Sequence, residues 1–284
     1  MALRIEKADE VGFCFGVKRA VDILEKVAGE RGGVETLGAV VHNQKVLQRL
    51  AKIGVRIAKG ADDIHGDTVV FSAHGVSSQV EEAIRARHID IIDTTCPFVR
   101  RAQVAARRLA KSGFFIVIYG DVNHPEVKGV LGWAEDRGVA TLDEKSITEF
   151  NHLPRRLGVL SQTTQIPARF TEFVRKLIDS ALVKDSELRI IDTICHDTRK
   201  RQAAAVKLAN RVDLMLVIGS HTSANTNHLV ELCSVATKTY LVETAEEIQP
   251  VWFQRKHYIG VTAGASTAME TINEVLITLE AMAY

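Results

Sequence analysis

The sequence predicts an α/β fold of three units related by a pseudo-threefold axis, each with a small, mainly parallel sheet. Two internal repeats, and short aliphatic runs alternating with helical periodicity, carry that expectation. Asp93-Thr94-Thr95-Cys96, followed by Arg100, Arg101, Gln103 and Ala110, recurs 99 positions later as Asp192-Thr193-Ile194-Cys195, followed by Arg199, Lys200, Gln202 and Ala209. The register holds through Phe115–Tyr119 with Gly120 and Leu214–Ile218 with Gly219. A fainter copy stands 82 positions upstream, where Cys14 matches Cys96, Lys18 and Arg19 match Arg100 and Arg101, and Gly38 matches Gly120. His42 then falls on His124, and the last copy holds Ser223 at that place.

Each unit repeats one order of elements. A Cys precedes a helical stretch, at 17–27, 99–111 and 199–210, with apolar residues spaced by three and four. A short aliphatic strand ending in Gly follows, then a further helix and another strand, at 68–71, 157–160 and 258–261. These later strands run into Ser72-Ala73-His74-Gly75, Ser161-Gln162-Thr163-Thr164 and Thr262-Ala263-Gly264-Ala265-Ser266. Aliphatic strands alternating with helices form parallel sheets, whose ligands sit beyond the carboxyl ends of the strands. The expected boundaries are 1–93, 94–191 and 192–284, the last including a C-terminal segment.

Thirty-six basic and thirty-five acidic side chains give a formal charge of +1, which argues against a dedicated nucleic-acid binder. No apolar run is long enough to span a membrane. Residues 1–11 carry Glu6, Asp9 and Glu10 and lack the apolar stretch of a secretory leader, so a cytoplasmic protein is expected. Four cysteines are too few for a disulfide framework and suggest metal or catalytic work, with buried thiols as the bland alternative.

One Cys per unit places Cys14, Cys96 and Cys195 around the pseudo-threefold axis. A 4Fe–4S cube takes one ligand per iron, normally thiolate, so three cysteines leave one iron open. Each Cys also stands ahead of a helix N-terminus, whose partial positive charge favours thiolate. A single zinc bound by three sulfurs is the competing metal, although the spacings lack C-x₂-C knuckles. The basic pairs after each Cys would suit the negative charge of a cluster, and are at least equally well explained as a solvated helix face. Cys233 lies on an apolar stripe outside the repeat frame and is expected in the core.

The strand ends bring His42, His74, His124, Thr163, Ser223 and Ser266 toward the centre, with Asn225 close by. These imidazoles, hydroxyls and one amide suit phosphate oxygens, yet the chain holds no P-loop and no Gly-rich nucleotide fingerprint. Glu126 follows Pro125, which suits the first position of a helix. A carboxyl in a dry pocket stays neutral and can donate a proton; the alternative is an acid that stabilises a helix N-terminus.

Seven segments in order resemble one family. They are Gly12-Phe13-Cys14-Phe15-Gly16-Val17-Lys18-Arg19-Ala20, Ala73-His74-Gly75-Val76-Ser77, Asp93-Thr94-Thr95-Cys96-Pro97, His124-Pro125-Glu126-Val127, Ser161-Gln162-Thr163-Thr164, Ile194-Cys195 through Arg201-Gln202, and Thr262-Ala263-Gly264-Ala265-Ser266. Together they resemble the 4-hydroxy-3-methylbut-2-enyl diphosphate reductase (IspH/LytB) family over nearly the whole chain. The resemblance implies a cloverleaf of three α/β domains around one 4Fe–4S cluster with three Cys ligands and one open iron. It implies reductive removal of an allylic hydroxyl, giving isopentenyl and dimethylallyl diphosphate in the last step of the non-mevalonate pathway. By motif, Cys14, Cys96 and Cys195 would bind the cluster, and His42, His74, His124, Ser223, Asn225 and Ser266 the diphosphate. Thr163 would lie near the hydroxyl and Glu126 would supply the proton, with ferredoxin or flavodoxin as electron donor.

Three places depart from the family pattern. Ala224 replaces a serine of an Asn-Ser-Ser-Asn loop, with Thr226 a candidate substitute for the lost hydroxyl. Val130 stands where Thr is common, and Ala268-Met269 replace a frequent Pro-Asp. The rivals are a three-Cys cluster enzyme resembling quinolinate synthase, a mononuclear zinc hydrolase and a non-catalytic electron-transfer or sensor protein. The His-Pro-Glu segment and the serine-rich third unit favour the reductase over the first.

Overall fold

The computed structural model of the chain describes residues 3–41, 43–135, 137–143, 146, 154–181 and 186–282. The elements of the first stretch are β1 (Arg4–Lys7), α1 (Phe15–Arg31), β2 (Val34–Leu37), α2 (Gln44–Lys52), β3 (Val55–Ala58), β4 (Thr68–Phe71), α3 (Ser78–Ala86) and β5 (Asp90–Asp93). Next come α4 (Pro97–Lys111), β6 (Phe115–Tyr119), α5 (Pro125–Gly132), β7 (Gly138–Thr141), β8 (Arg156–Ser161), α6 (Pro167–Ala181) and β9 (Glu187–Ile190). The remainder is α7 (His196–Ala209), β10 (Leu214–Ile218), α8 (Ala224–Ser234), β11 (Thr239–Val242), β12 (Tyr258–Ala263) and α9 (Met269–Ala281).

The chain divides into two compact units, one of Met1–Lys18, Val41–Leu50 and His196–Tyr284, the other of Arg19–Val40 and Ala51–Cys195. The second unit holds two sheets, ordered β3-β2-β4-β5 and β7-β6-β8-β9, and the first holds one, β11-β10-β12-β1. Every pairing is parallel. The three sheets share one plan. In each, the edge strand that runs into a Cys (β5, β9 or β1) lies beside β4, β8 or β12.

The N-terminal strand is therefore exchanged between repeats. Residues 192–284 supply only β10, β11 and β12, leaving an open edge on β12. Arg4–Lys7 covers that edge, in register with Tyr258–Val261. An uncovered parallel edge exposes unpaired N–H and C=O groups. A strand from the expected 1–93 unit thus completes the sheet of the expected 192–284 unit.

The central strands are the ones the sequence marks most clearly. All five residues of β10 and all four of β4 are buried. Leu214, Leu216 and Ile218 pack with Ile259, Val261, Ile272 and Val275, whereas Met215 and Val217 face Ala205, Leu208, Leu229 and Cys233. Each large aliphatic side chain so buried stabilises the fold by roughly 1.5–3 kcal/mol. Val130 belongs to the cluster around Ala106, Ile116 and Leu160, so its departure from the family pattern is taken up by the core. Cys233 is fully buried as expected, and burial pushes its thiol up to about 12.

Candidate active site at the strand ends

The cysteines are held by one device used three times. The N–H of Cys96 donates to the carbonyl of Ala73, that of Cys195 to Thr163, and that of Cys14 to Ala265, each at 3.0 Å. The acceptors occupy equivalent places just past β4, β8 and β12. Each Cys then opens a helix. Cys96 is the N-cap of α4 with Pro97 at its first position, where a missing N–H costs nothing. At Cys14 the N–H groups of Val17 and Gly16 donate to the sulfur, although burial outweighs them and raises the thiol above its ordinary range. All three thiols are half-buried and free of disulfides.

In the second unit the ends of β6 and β8 meet at Glu126. Its carboxyl is 2% exposed and accepts two hydrogen bonds from Thr163, from N–H to Oε1 at 2.6 Å and from Oγ1 to Oε2 at 2.7 Å. Burial raises its pKa, and the two bonds from Thr163 offset that only in part. The carboxyl is therefore harder to ionise than an exposed glutamate, with one oxygen on a hydroxyl. Thr163 does double duty, because its carbonyl anchors the N–H of Cys195. Gln162 ties the same strand ends, donating its N–H to the carbonyl of Tyr119 and accepting from the N–H of Asp121.

His124 caps α5, its Nδ1 accepting from the N–H of Glu126 at 3.2 Å. That bond assigns the ring hydrogen to Nε2, which can donate to an anion. The ring meets His74 edge-on at 5.4 Å between centroids. His74 is presented by a turn through Gly75, whose φ of +69° is open to glycine. A Cβ there would stand 2.5 Å from Gln103 Nε2.

In the first unit, Ser223 caps α8 by accepting from the N–H of Thr226 at 3.4 Å. Asn225 is 5% exposed, and neither its Oδ1 nor its Nδ2 has a hydrogen-bond partner. A buried amide left so costs about 1–3 kcal/mol, which a ligand would relieve. Ser266 is also buried, past the end of β12. Thr226, the candidate substitute at the Ala224 departure, packs against Gly219 and Gly264 and is fully buried. Its hydroxyl is turned into the strand ends. Met269 lies against Gly12, where an added Cβ would stand 2.8 Å from its Sδ. His42 lies outside the described residues.

Two of the basic residues after the cysteines do more than face solvent. Arg19 donates to the carbonyls of Thr94 at 3.2 Å and Thr95 at 3.5 Å, and Arg100 pairs with Asp93. Arg101 is exposed. Neither Gln162 nor Arg201 is marked out by sequence pattern, although both fall inside the family motifs. Buried polar groups declare themselves only through the fold.

The donor set fits an iron–sulfur cluster. Three thiols, one past each Cys-bearing strand and each at a helix start, are the ligand type such a cluster takes, and would leave one iron of four without a protein ligand. Among the described residues no three His, Cys, Asp or Glu side chains are grouped as ligands of one metal ion.

An α/β protein with a cysteine past one edge strand of each of three parallel sheets, and in one unit a buried carboxyl near a Cys-anchoring strand end, has the makeup of an enzyme rather than of a purely structural protein. The chain belongs to the LytB protein family, whose model matches residues 5–280. It is 60% identical over 273 residues to a 4-hydroxy-3-methylbut-2-enyl diphosphate reductase of Dehalococcoides mccartyi, covering 96% of each chain. It is 39% identical to the reductase of the same name from Geotalea daltonii, covering 99% of this chain and 98% of that one. The solved structure of E-1-hydroxy-2-methyl-but-2-enyl-4-diphosphate reductase from Plasmodium falciparum matches with a TM-score of 0.90 at 26% identity, over 98% of this chain and 88% of that one. A solved (E)-4-hydroxy-3-methyl-but-2-enyl diphosphate reductase, described as the terminal enzyme of the non-mevalonate pathway, matches at 38% identity and a TM-score of 0.70, covering 98% and 99%. No described helix is long and apolar enough to cross a membrane.

Proposed function

We propose that this chain reduces (E)-4-hydroxy-3-methylbut-2-enyl diphosphate to isopentenyl and dimethylallyl diphosphate. The carbon–oxygen bond of the allylic hydroxyl breaks, two electrons and two protons are taken up, and the oxygen leaves as water. The observation that carries the reading is the buried Glu126 carboxyl on Thr163, itself the anchor of Cys195. Cys14, Cys96 and Cys195 hold the cluster. When bound, a 4Fe–4S cluster with one iron free of protein ligands supplies Lewis-acid and electron-transfer chemistry.

The remaining work belongs to side chains. His74, His124, Ser223, Asn225, Ser266 and, from the sequence, His42 bind the diphosphate. Donors fixed by helix caps need little reorganisation to meet its charge. Nε2–H of His124 donates to an oxygen of the anion, and Asn225 finds there the partner it lacks. Burial favours the protonated form of Glu126; in that form Oε2 donates to Thr163 Oγ1, the reverse of the bond the ionised carboxyl accepts, and Oγ1 passes its own hydrogen to the leaving hydroxyl. The electrons come from a separate carrier, ferredoxin or flavodoxin, as the resemblance to the reductase family implies. Anaerobic turnover of the allylic diphosphate with dithionite and a viologen tests the reading. Formation of both five-carbon diphosphates is expected, and a cluster-loaded chain that forms neither is not this enzyme.

A further inference from the structure

The three cysteine loops differ in one fixing contact. Two residues before Cys96 and Cys195 stand Thr94 and Thr193. The hydroxyl of Thr94 donates to the carbonyl of Phe71, the last residue of β4, and that of Thr193 to Ser161, the last of β8. Both threonines are buried. The equivalent residue before Cys14 is Gly12, which has no hydroxyl. Threonine is strained there, because φ is +82°, and Met269 would have to shift to admit a Cβ.

The matching carbonyl, that of Ala263 at the end of β12, is taken instead by Arg201. Its Nη1 donates to Ala263 at 2.8 Å and to Glu10 at 3.1 Å, and its Nη2 to Gly12 at 2.8 Å. One planar guanidinium thus spans the end of β12 and both sides of the approach to Cys14. Arg201 sits on α7, one residue past the aligned Arg19 and Arg101, and is 4% exposed. A guanidinium keeps its charge, and burying one is costly unless negative charge lies near.

We propose that Arg201 is a positioning residue of the iron–sulfur centre, clamping the Cys14 loop in place of the missing threonine and setting a fixed positive charge beside that ligand. The inference rests on the cluster reading above and adds a residue that touches neither substrate nor iron. The clamp and the charge separate on substitution. Arg201→Lys keeps the charge but loses the planar fork, and Arg201→Met loses both.

The test compares parent and variants by amide exchange at 12–14 on the metal-free chain, by iron and acid-labile sulfide content, and by an EPR-monitored redox titration. Both variants are expected to exchange the Cys14 amide at least about tenfold faster. Arg201→Met is also expected to become harder to reduce, by about tenfold in the equilibrium, or about 59 mV for one electron. Arg201→Lys should keep a potential near that of the parent. Parent-like exchange, metal content and potential in Arg201→Met would overturn the proposal. Should the methionine variant not fold, parent-like exchange in Arg201→Lys does so alone. A parent chain without iron and sulfide would sink the cluster reading instead, and the exchange arm would still decide whether Arg201 holds the loop.

Discussion

Replacing Glu126 by glutamine removes one proton and leaves almost all the geometry in place. The amide oxygen can still accept from the N–H of Thr163 where Oε1 stands at 2.6 Å, and the amide nitrogen can donate to Thr163 Oγ1 where Oε2 stands at 2.7 Å. What is lost is the acid. A positioned general acid contributes about 10²–10⁴-fold, or roughly 2.7–5.4 kcal/mol of barrier, so turnover should fall by at least about a hundredfold. Cluster absorbance should stay unchanged.

Stability makes a second, independent reading of the same variant. Burial raises the folded-state pKa of Glu126 above its unfolded value. The stability linked to its protonation is therefore complete below the ordinary glutamate range, about 4.3, and is lost as pH rises through the raised folded value. Between those limits the parent loses about 1.4 kcal/mol per pH unit from this group, and the glutamine variant loses none. Melting curves across that range should show the variant gaining on the parent as pH rises. Turnover within about threefold of the parent, set against the factor for a general acid, or a stability difference that does not change with pH, would refute the reasoning.

The other substitutions probe the pocket and its supports. Asn225→Ala removes an amide without protein partners, so thermal stability should hold within about 1 kcal/mol while KM for the diphosphate rises. A large loss of stability would mark Asn225 as structural. Gly75→Ala combines a positive φ with a Cβ 2.5 Å from Gln103 Nε2 and 2.9 Å from Thr95 Cγ2, and should cost about 1–3 kcal/mol in urea unfolding. A neutral result would mean that the turn before α3 relaxes freely. Cys233→Ala removes a fully buried thiol and should leave iron and sulfide content unchanged, whereas a chain depleted of iron would make that thiol a ligand.

The parts of this fold that can be seen in sequence are those whose partners repeat or are uniformly apolar. The strands at 115–119 and 214–218 are continuous apolar runs, buried on both faces but for a half-buried Phe115, and their observed bounds match the expected ones. The edge strands β1, β5 and β9 were not anticipated. They are four residues long, mix charged with apolar side chains and are partly exposed, so no periodicity marks them. Placing β1 beside β12 needs a pairing between Arg4 and Tyr258, which local pattern cannot supply. The site divides in the same way. The cysteines stand out because the repeat carries them, and Glu126 and Thr163 each stand out as chemistry. Their mutual bond joins residues 37 positions apart and exists only once β6 and β8 pair. Arg201 was hidden for a related reason, since its bonds go to backbone carbonyls up to 191 positions away. Its one sequence signal is the glycine at 12 where the other copies hold threonine.

The central claim is that three distant thiols hold one inorganic cluster, and metal content tests it most directly. Iron, acid-labile sulfide and zinc should be counted on anaerobically purified chain, with Cys14→Ser, Cys96→Ser and Cys195→Ser alongside. The account predicts about four iron and four sulfide per parent chain, falling in each serine variant. One zinc and no sulfide, or full iron content in any of the three variants, would contradict it.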